Sequence, residues 1–423
     1  MFPQAIDMQR VLPELIWCGF GVLVMLLQPF VRSRQFFTFV ALIGSLAGTI
    51  AAFTALAHGG PGFYGLVQSD AFSFFFRLLV GTVSFLVILA AGPYLDREQL
   101  PIAEFYALLF FATAGMGVLA SAQELLTGFI GLEMSSISSY VLAGYRRDSL
   151  KSSESAMKYF LLGSFAPTPV TALFSAGPKA AAFALLLRIF ATVPAATQYW
   201  FWAFWVLAAL TMFAGNLGAL VQTNMKRLLA YSSIANAGYI LVAFAAVTSM
   251  AQGGSAEAAP AYAAVLFYLL SYALVKLGAF TIVSQLGGFG EKNLSLDDYA
   301  GLSQRQPFVA AMLSIYLLSL LGLPVTAGFF GKFYIFKAAV NSHLISLAVL
   351  MAVNSVIGAY YYLRVIVVMY MREPSAEAAA VGPVPFPIGV NAVLLITFVG
   401  TILFGLYPNP VINFILRPNL LGH

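Results

Sequence analysis

The sequence predicts an all-α, polytopic bundle of transmembrane helices, and three observations carry that prediction. Apolar residues make up 61% of the 423-residue chain and charged residues 9%, where soluble domains run near 25% charged. Apolar runs of about 20 residues, the length that crosses about 30 Å of hydrocarbon, recur along the chain. Lys and Arg gather in alternate loops between those runs, the pattern that orients a protein in a membrane. With a mean hydropathy of +0.90, a soluble enzyme, a disordered chain and a disulfide scaffold are excluded. The net charge of +5 reports orientation and not a nucleic-acid partner.

The runs fall near 11–30, 36–57, 71–92, 101–120, 123–144, 200–222, 228–250, 260–287, 307–340, 343–370 and 385–408. The first lacks a small-residue cleavage site and continues into LLQPFVRSR, so it is expected to span and not to be a signal peptide. Between 144 and 200, AMKYFLLGSFA is too short to cross, Pro167 and Pro169 follow it, and VTALFSAGPKAAAFALLLRIF completes the stretch. Arg32 and Arg34, Arg97, Arg146 with Arg147 and Lys151, Lys226 with Arg227, Lys292 with Arg305, and Arg372 mark the loops expected in the cytoplasm. Loops near 58–69, 121–122, 193–199 and 251–259 contain no Lys or Arg and are expected outside. The alternation holds if 155–192 makes one kinked passage. About twelve spans then form one membrane domain over 1–423, with both termini non-cytoplasmic.

Redox chemistry has no ligands here. Cys18 is the single cysteine, and His58, His343 and His423 sit near span edges or at the terminus. No disulfide, iron–sulfur cluster or bis-histidine haem is expected in this chain.

The residues that draw attention are charges inside apolar runs: Glu133, Lys158, Lys179, Lys276, Lys332, Lys337 and Arg364. Each costs about 3 kcal/mol at a helix centre. Snorkelling from helix ends competes as an explanation for Lys158, Lys337 and Arg364. Glu133 and Lys276 lie about midway along their spans, where an ion path is the better account. Lys332 follows LLGLPVTAGFFGK, in which Gly322, Pro324, Gly328 and Gly331 interrupt the run. Proline removes a donor and frees a carbonyl, so a broken helix with a lysine beside it, an ion-site arrangement, is expected, with a simple packing kink as the alternative. Gly177, Pro178 and Lys179 suggest the same pairing of break and amine. Ser135, Ser136, Ser138, Ser139 and Tyr140 after Glu133, and Ser232, Ser233 and Asn236 after Lys226, suit a hydrated path or helix packing. Gly44 and Gly48 read as packing, and GPGFYG is discarded as a dinucleotide motif.

The strings GFIGLEMSSISSYVLAGY, SLKSSESAMKYFLLGS, PTPVTALFSAGPKAAAF, LLAYSSIANAGYIL, DDYAGL and LLGLPVTAGFFGKFYIFKA together resemble the subunit N family of proton-pumping NADH:quinone oxidoreductase, respiratory complex I. That family belongs to a wider group that includes the multisubunit sodium/proton antiporters. The resemblance covers nearly the whole chain. A lysine at FSAGPKAA, where sister antiporter-like subunits tend to show histidine, favours subunit N.

The resemblance implies antiporter-like inverted repeats, each with one broken helix, and a row of buried charges. By motif, Glu133 looks like the acidic partner of the first repeat and Lys158 the lysine of the next helix. Lys179 looks like the central relay lysine, Lys276 a relay lysine of the second repeat, and Lys332 the terminal lysine. The implied organisation is N-terminal helices over 1–100, a first repeat over 101–192, a second over 200–370 and a C-terminal helix over 385–408. The first repeat is shortened, because Ala166 runs directly into Pro167 where the family carries the rest of a helix and a whole broken helix bearing a lysine. The implied function is proton translocation coupled to quinone reduction elsewhere. The implied partners are the other membrane-arm subunits and the bilayer, in a bacterial inner membrane. NADH, FMN, iron–sulfur clusters and quinone are expected in those other subunits and no cofactor in this one. A sodium/proton antiporter subunit and a transport-inactive structural subunit are the alternatives.

Overall fold

The computed structural model describes residues 5–146, 167–192, 197–250, 255–374 and 383–416. Lys158 lies outside them. Ten helices among the described residues are long and apolar enough to cross a membrane, and Leu12–Leu27 and Pro307–Leu321 are shorter apolar helices. The all-α membrane bundle is therefore borne out. Contacts divide the chain into two compact units that part between Ile189 and Phe190.

The first unit comprises α1 (Ala5–Arg10), α2 (Leu12–Leu27), α3 (Arg34–Ala57), a two-stranded antiparallel hairpin of β1 (Gly60–Gly62) and β2 (Val67–Ser69), α4 (Ala71–Arg97), α5 (Ile102–Ser121), α6 (Leu125–Ala143) and most of α7 (Thr168–Thr192). Small residues set its helix contacts. A side chain at Gly44 or Gly48 of α3 would drive into Phe20 or Trp17 of α2, which supports the packing role expected of that pair. At Gly131 of α6 a Cβ would stand 2.7 Å from the Leu119 amide of α5, so these two backbones touch. Helix α4 starts on a capping box, in which Ser73 N–H donates to Asp70 Oδ1 at 2.7 Å and Asp70 N–H to Ser73 Oγ at 3.0 Å.

The second unit comprises α8 (Thr197–Leu220), α9 (Met225–Met250), α10 (Ser255–Leu286), α11 (Pro307–Leu321), α12 (Ala327–Asn341), α13 (Ile345–Met371), α14 (Ile388–Leu406) and α15 (Asn409–Ile415). Helix α10 is the most deeply buried span and touches α9, α11, α12 and α14.

The apolar run at 307–340 is two half-helices, as its glycines and proline imply. Helix α11 stops at Gly322, whose φ of +96° suits glycine. The Leu323 N–H closes the turn on Leu318 O at 2.9 Å. Two bonds stitch the break: Gly328 N–H donates to Ser319 Oγ at 3.1 Å, and Thr326 Oγ1 to Leu323 O at 2.7 Å. Gly328 is obligatory here, since a Cβ would run into the Ser319 carbonyl.

One expectation needs correction. The Gly177–Pro178–Lys179 stretch is no break, because α7 runs unbroken from Thr168 to Thr192 with Pro178 inside it. Proline costs the carbonyl of Phe174 one donor, a loss that packed membrane helices absorb. Gly177 meanwhile serves close packing against Met116 of α5. Lys226, one of the charges that mark the cytoplasmic side, is 2% exposed and ion-paired.

Candidate functional site

The second unit brings two of the sequence-selected lysines into a buried polar cluster. Lys276, on the innermost helix α10, is fully buried. Its Nζ donates to the Leu229 carbonyl at 2.7 Å and to Ser232 Oγ at 2.6 Å, both on α9. Ser232 itself donates back to Leu229 O at 2.8 Å, so an amine, a hydroxyl and a carbonyl form one triangle. The rings of Tyr272 and Phe280 lie 5.6 and 5.7 Å from the amine, one turn to either side on the same helix.

Lys332 is half-buried on the second half-helix, α12. Its Nζ reaches back across the break to donate to Leu321 O at 3.0 Å. Leu321 is the last residue of α11, so the acceptor is one of the end carbonyls that no helical amide satisfies. The negative end of the α11 dipole faces the same amine. The Tyr239 ring of α9 lies 4.7 Å from it. A cavity of about 10 Å³ adjoins Lys332, Asn236, Tyr268, Ser271 and Tyr272, room for about one water molecule.

Hydroxyls and amides fill the space around the two amines. Tyr268 donates a short hydrogen bond to Asn236 Oδ1. Between α8 and α13, Asn216 Nδ2 donates to Asn354 Oδ1 at 3.0 Å while Tyr361 donates to Asn216 Oδ1 at 2.9 Å. The Tyr362 hydroxyl is buried without a hydrogen-bond partner among the described residues, an arrangement a water would complete. Of the polar residues singled out from sequence, Ser232, Ser233 and Asn236 are in the cluster, while Ser135, Ser136, Ser138, Ser139 and Tyr140 lie on α6 of the first unit.

Glu133 and Lys179 belong to the first unit. Glu133 is half-buried on α6 and, among the described residues, forms no ion pair. Lys179 is half-buried on α7, directly after Pro178. Of the basic residues that snorkelling could explain, Lys337 is exposed and Arg364 half-buried.

Sequence reading passed over the charges that the first unit buries most completely. Arg77 of α4 is 1% exposed and grips Glu14 of α2 with bonds of 2.8 and 3.2 Å. It also donates to Arg10 O at 3.0 Å and Ser69 Oγ at 3.3 Å. Arg188 of α7 is bidentate on Asp70 at 2.9 and 3.1 Å and donates to Ala120 O. Glu14, Arg77 and Arg188 stand inside apolar runs as openly as Lys276 does, and that position was the available signal.

Residues 122–166 and 163–358 match the family model of NADH:quinone oxidoreductase/Mrp antiporter transmembrane proteins. The NADH-quinone oxidoreductase subunit N 1 of Solibacter usitatus is 40% identical, over 96% of this chain and 96% of the relative. That alignment runs over 479 residues against the 423 of this chain, so at least 56 positions of the relative have no counterpart here. The two matched stretches meet at 163–166, where Ala166 adjoins Pro167. Among solved structures, a chain of respiratory complex I from Thermus thermophilus with bound aureothin is 28% identical, with a TM-score of 0.76 over 95% of this chain and 98% of that one. A chain of the Mrp complex from Dietzia sp. shares the fold, with a TM-score of 0.81 at 18% identity over 98% and 96% of the two chains. This chain belongs to the NADH:quinone oxidoreductase/Mrp antiporter transmembrane family, within its NADH-quinone oxidoreductase subunit N branch.

Proposed function

We propose that the chain is a proton-translocating membrane subunit of NADH:quinone oxidoreductase, assembled with the other membrane-arm subunits of that complex. One observation carries this reading: the amine of Lys332 rests on the carbonyl freed where α11 breaks, beside a cavity lined by hydroxyls. Desolvation weakens an amine's hold on its proton, and an approaching negative charge restores it. An amine held by neutral oxygens can therefore give up and regain a proton without abandoning a counter-ion. Moving one charge across the membrane costs about 2.3 kcal/mol for each 100 mV. Bringing a carboxylate to about 4 Å at an effective dielectric near 20 supplies about 4 kcal/mol, enough to drive such a step.

In this reading Lys276 and Lys332 carry protons through the second unit, and Glu133 and Lys179 serve the first. Lys158 takes its place in the row from the motif alone. NADH, FMN, iron–sulfur clusters and quinone belong to partner subunits, with no cofactor in this chain. The loop charges and the bacterial sources of the relatives support a bacterial plasma membrane with both termini on the non-cytoplasmic side.

The test is Lys332→Ala in the assembled complex, reconstituted in vesicles. Proton pumping is expected to collapse while the subunits still co-purify. Pumping at the wild-type rate overturns the reading. The shortened first repeat favours a second reading for that half alone, a part that supports the arm without conducting. Wild-type pumping by Lys179→Ala would favour it.

A further inference from the structure

One buried charge pair of the second unit has no role in the path described so far. Lys226 stands in the first turn of α9, and its Nζ lies 2.7 Å from Glu291 Oε2, with the Glu291 side chain 12% exposed. Three left-handed residues shape the turn beneath that carboxylate: Gly288 at φ +66°, Gly290 at +74° and Glu291 itself at +53°. A left-handed non-glycine residue costs about 1 kcal/mol or more. The flanks of the turn are pinned, because Met225 N–H donates to Leu294 O at 2.7 Å and Leu296 N–H to Thr223 O at 2.8 Å. The loop thus holds Glu291 on the amine against a local cost. Close to Glu291 and Asp298, the Tyr299 hydroxyl is buried with no hydrogen-bond partner among the described residues. Burial first, and those two carboxylates second, push its ionisation far up, so it remains a donor.

Helix α9 joins this pair to the lysine cluster. Lys226, the Leu229 carbonyl, Ser232 and Ser233, Asn236 and Tyr239 recur every three or four residues, so they line one side of the helix. The named side chains are all buried. The stripe is about 20 Å long at about 1.5 Å per residue. Lys276 binds its second and third members, and Lys332 lies over the ring at its far end.

We propose that Lys226 and Glu291 form the proton intake of the second unit, passing protons from water at the 288–295 loop to Lys276. The proposal rests on the proton-translocating reading above. In the step, the Lys226 ammonium gives a proton inward, through the hydroxyls or a bridging water, to a neutral Lys276. Loss of the positive charge 2.7 Å away makes Glu291 the stronger acceptor, and it takes a proton from water. Glu291 then hands that proton to Lys226. The pair returns to its starting state, and one proton has moved inward.

The test uses the intact complex and reads NADH:quinone turnover. Glu291→Gln is expected to slow turnover by about a hundredfold, the lower end of what a positioned proton donor contributes. Formate, a small acid able to carry protons to the vacated site, is expected to restore it. Turnover at the wild-type rate, or slow turnover that formate leaves unchanged, overturns the proposal. Should Glu291→Gln prevent assembly, Lys226→Arg decides: it keeps the ion pair but holds its proton, so slow turnover is expected and a wild-type rate overturns the intake. Lys332→Ala separates the two claims. If it is slow while Glu291→Gln and Lys226→Arg run normally, only the intake fails; if Lys332→Ala itself runs normally, the proton-translocating reading fails.

Discussion

In the first unit Arg77 meets Glu14, Arg188 meets Asp70, and Glu98 meets Arg97 and Arg146. In the second, Lys276 and Lys332 rest on carbonyl and hydroxyl oxygens. Both solutions keep charge in an apolar interior, but they differ in what they allow. An ion pair fixes the protonation of both partners, because neutralising one strands the other. An amine on neutral oxygens leaves nothing stranded when its proton departs. Buried charge among the described residues therefore comes in two arrangements: ion pairs between helices, and amines that donate to neutral oxygens. Lys226 and Glu291 are the case between, a pair placed where an amine helix meets a loop.

The largest effect that would break this division is on stability. Arg77→Met leaves Glu14 buried opposite an apolar side chain and is expected to cost about 3–5 kcal/mol. The double change Glu14→Leu with Arg77→Met removes both charges and is expected to recover most of that loss. Thermal unfolding of the purified complex, scored on this subunit, checks both. If the single change is silent, the pairs are not what holds α2 on α4.

A smaller effect sharpens the other half. Lys276→Met removes an amine whose acceptors, Leu229 O and Ser232 Oγ, already bond each other. Its stability cost is expected to be about 2 kcal/mol, two hydrogen bonds at about 1 kcal/mol each, while proton pumping is lost. A cost as large as that of Arg77→Met would show that Lys276 is structural and would erase the distinction between the units.

How far the sequence foretold this division depends on the kind of signal. The broken helix was legible because Gly322, Pro324 and Gly328 act through their own backbones, and Lys332 follows within two turns. The spans were legible because hydropathy sums over about 20 residues. The pairs were not. Glu14 and Arg77 are 63 positions apart, and Asp70 and Arg188 118 apart, and nothing local to either partner names the other. Proline at 178 misled for a related reason, since a lost hydrogen bond becomes a break only if the neighbouring packing lets it. Lys226 marks the cytoplasmic side in sequence, while its partner Glu291 stands 65 positions away.

The smallest effect concerns the stitch across the broken helix. Ser319 Oγ accepts the Gly328 amide at 3.1 Å, one of the first four amides of α12 that no helical carbonyl can satisfy. Ser319→Ala is expected to cost about 1 kcal/mol, too little to prevent assembly. Its interest lies in transport. Gly328 directs α12 away from α11 by allowing the two backbones to touch, and Lys332 sits one turn further along the same half-helix. Loosening the stitch shifts the amine relative to the Leu321 carbonyl, so pumping is expected to fall by more than the stability change alone implies. Vesicle pumping measured beside the unfolding temperature separates the two. A pumping rate that stays normal while stability drops would mean that Lys332 is positioned by α12 as a whole and not by its first turn.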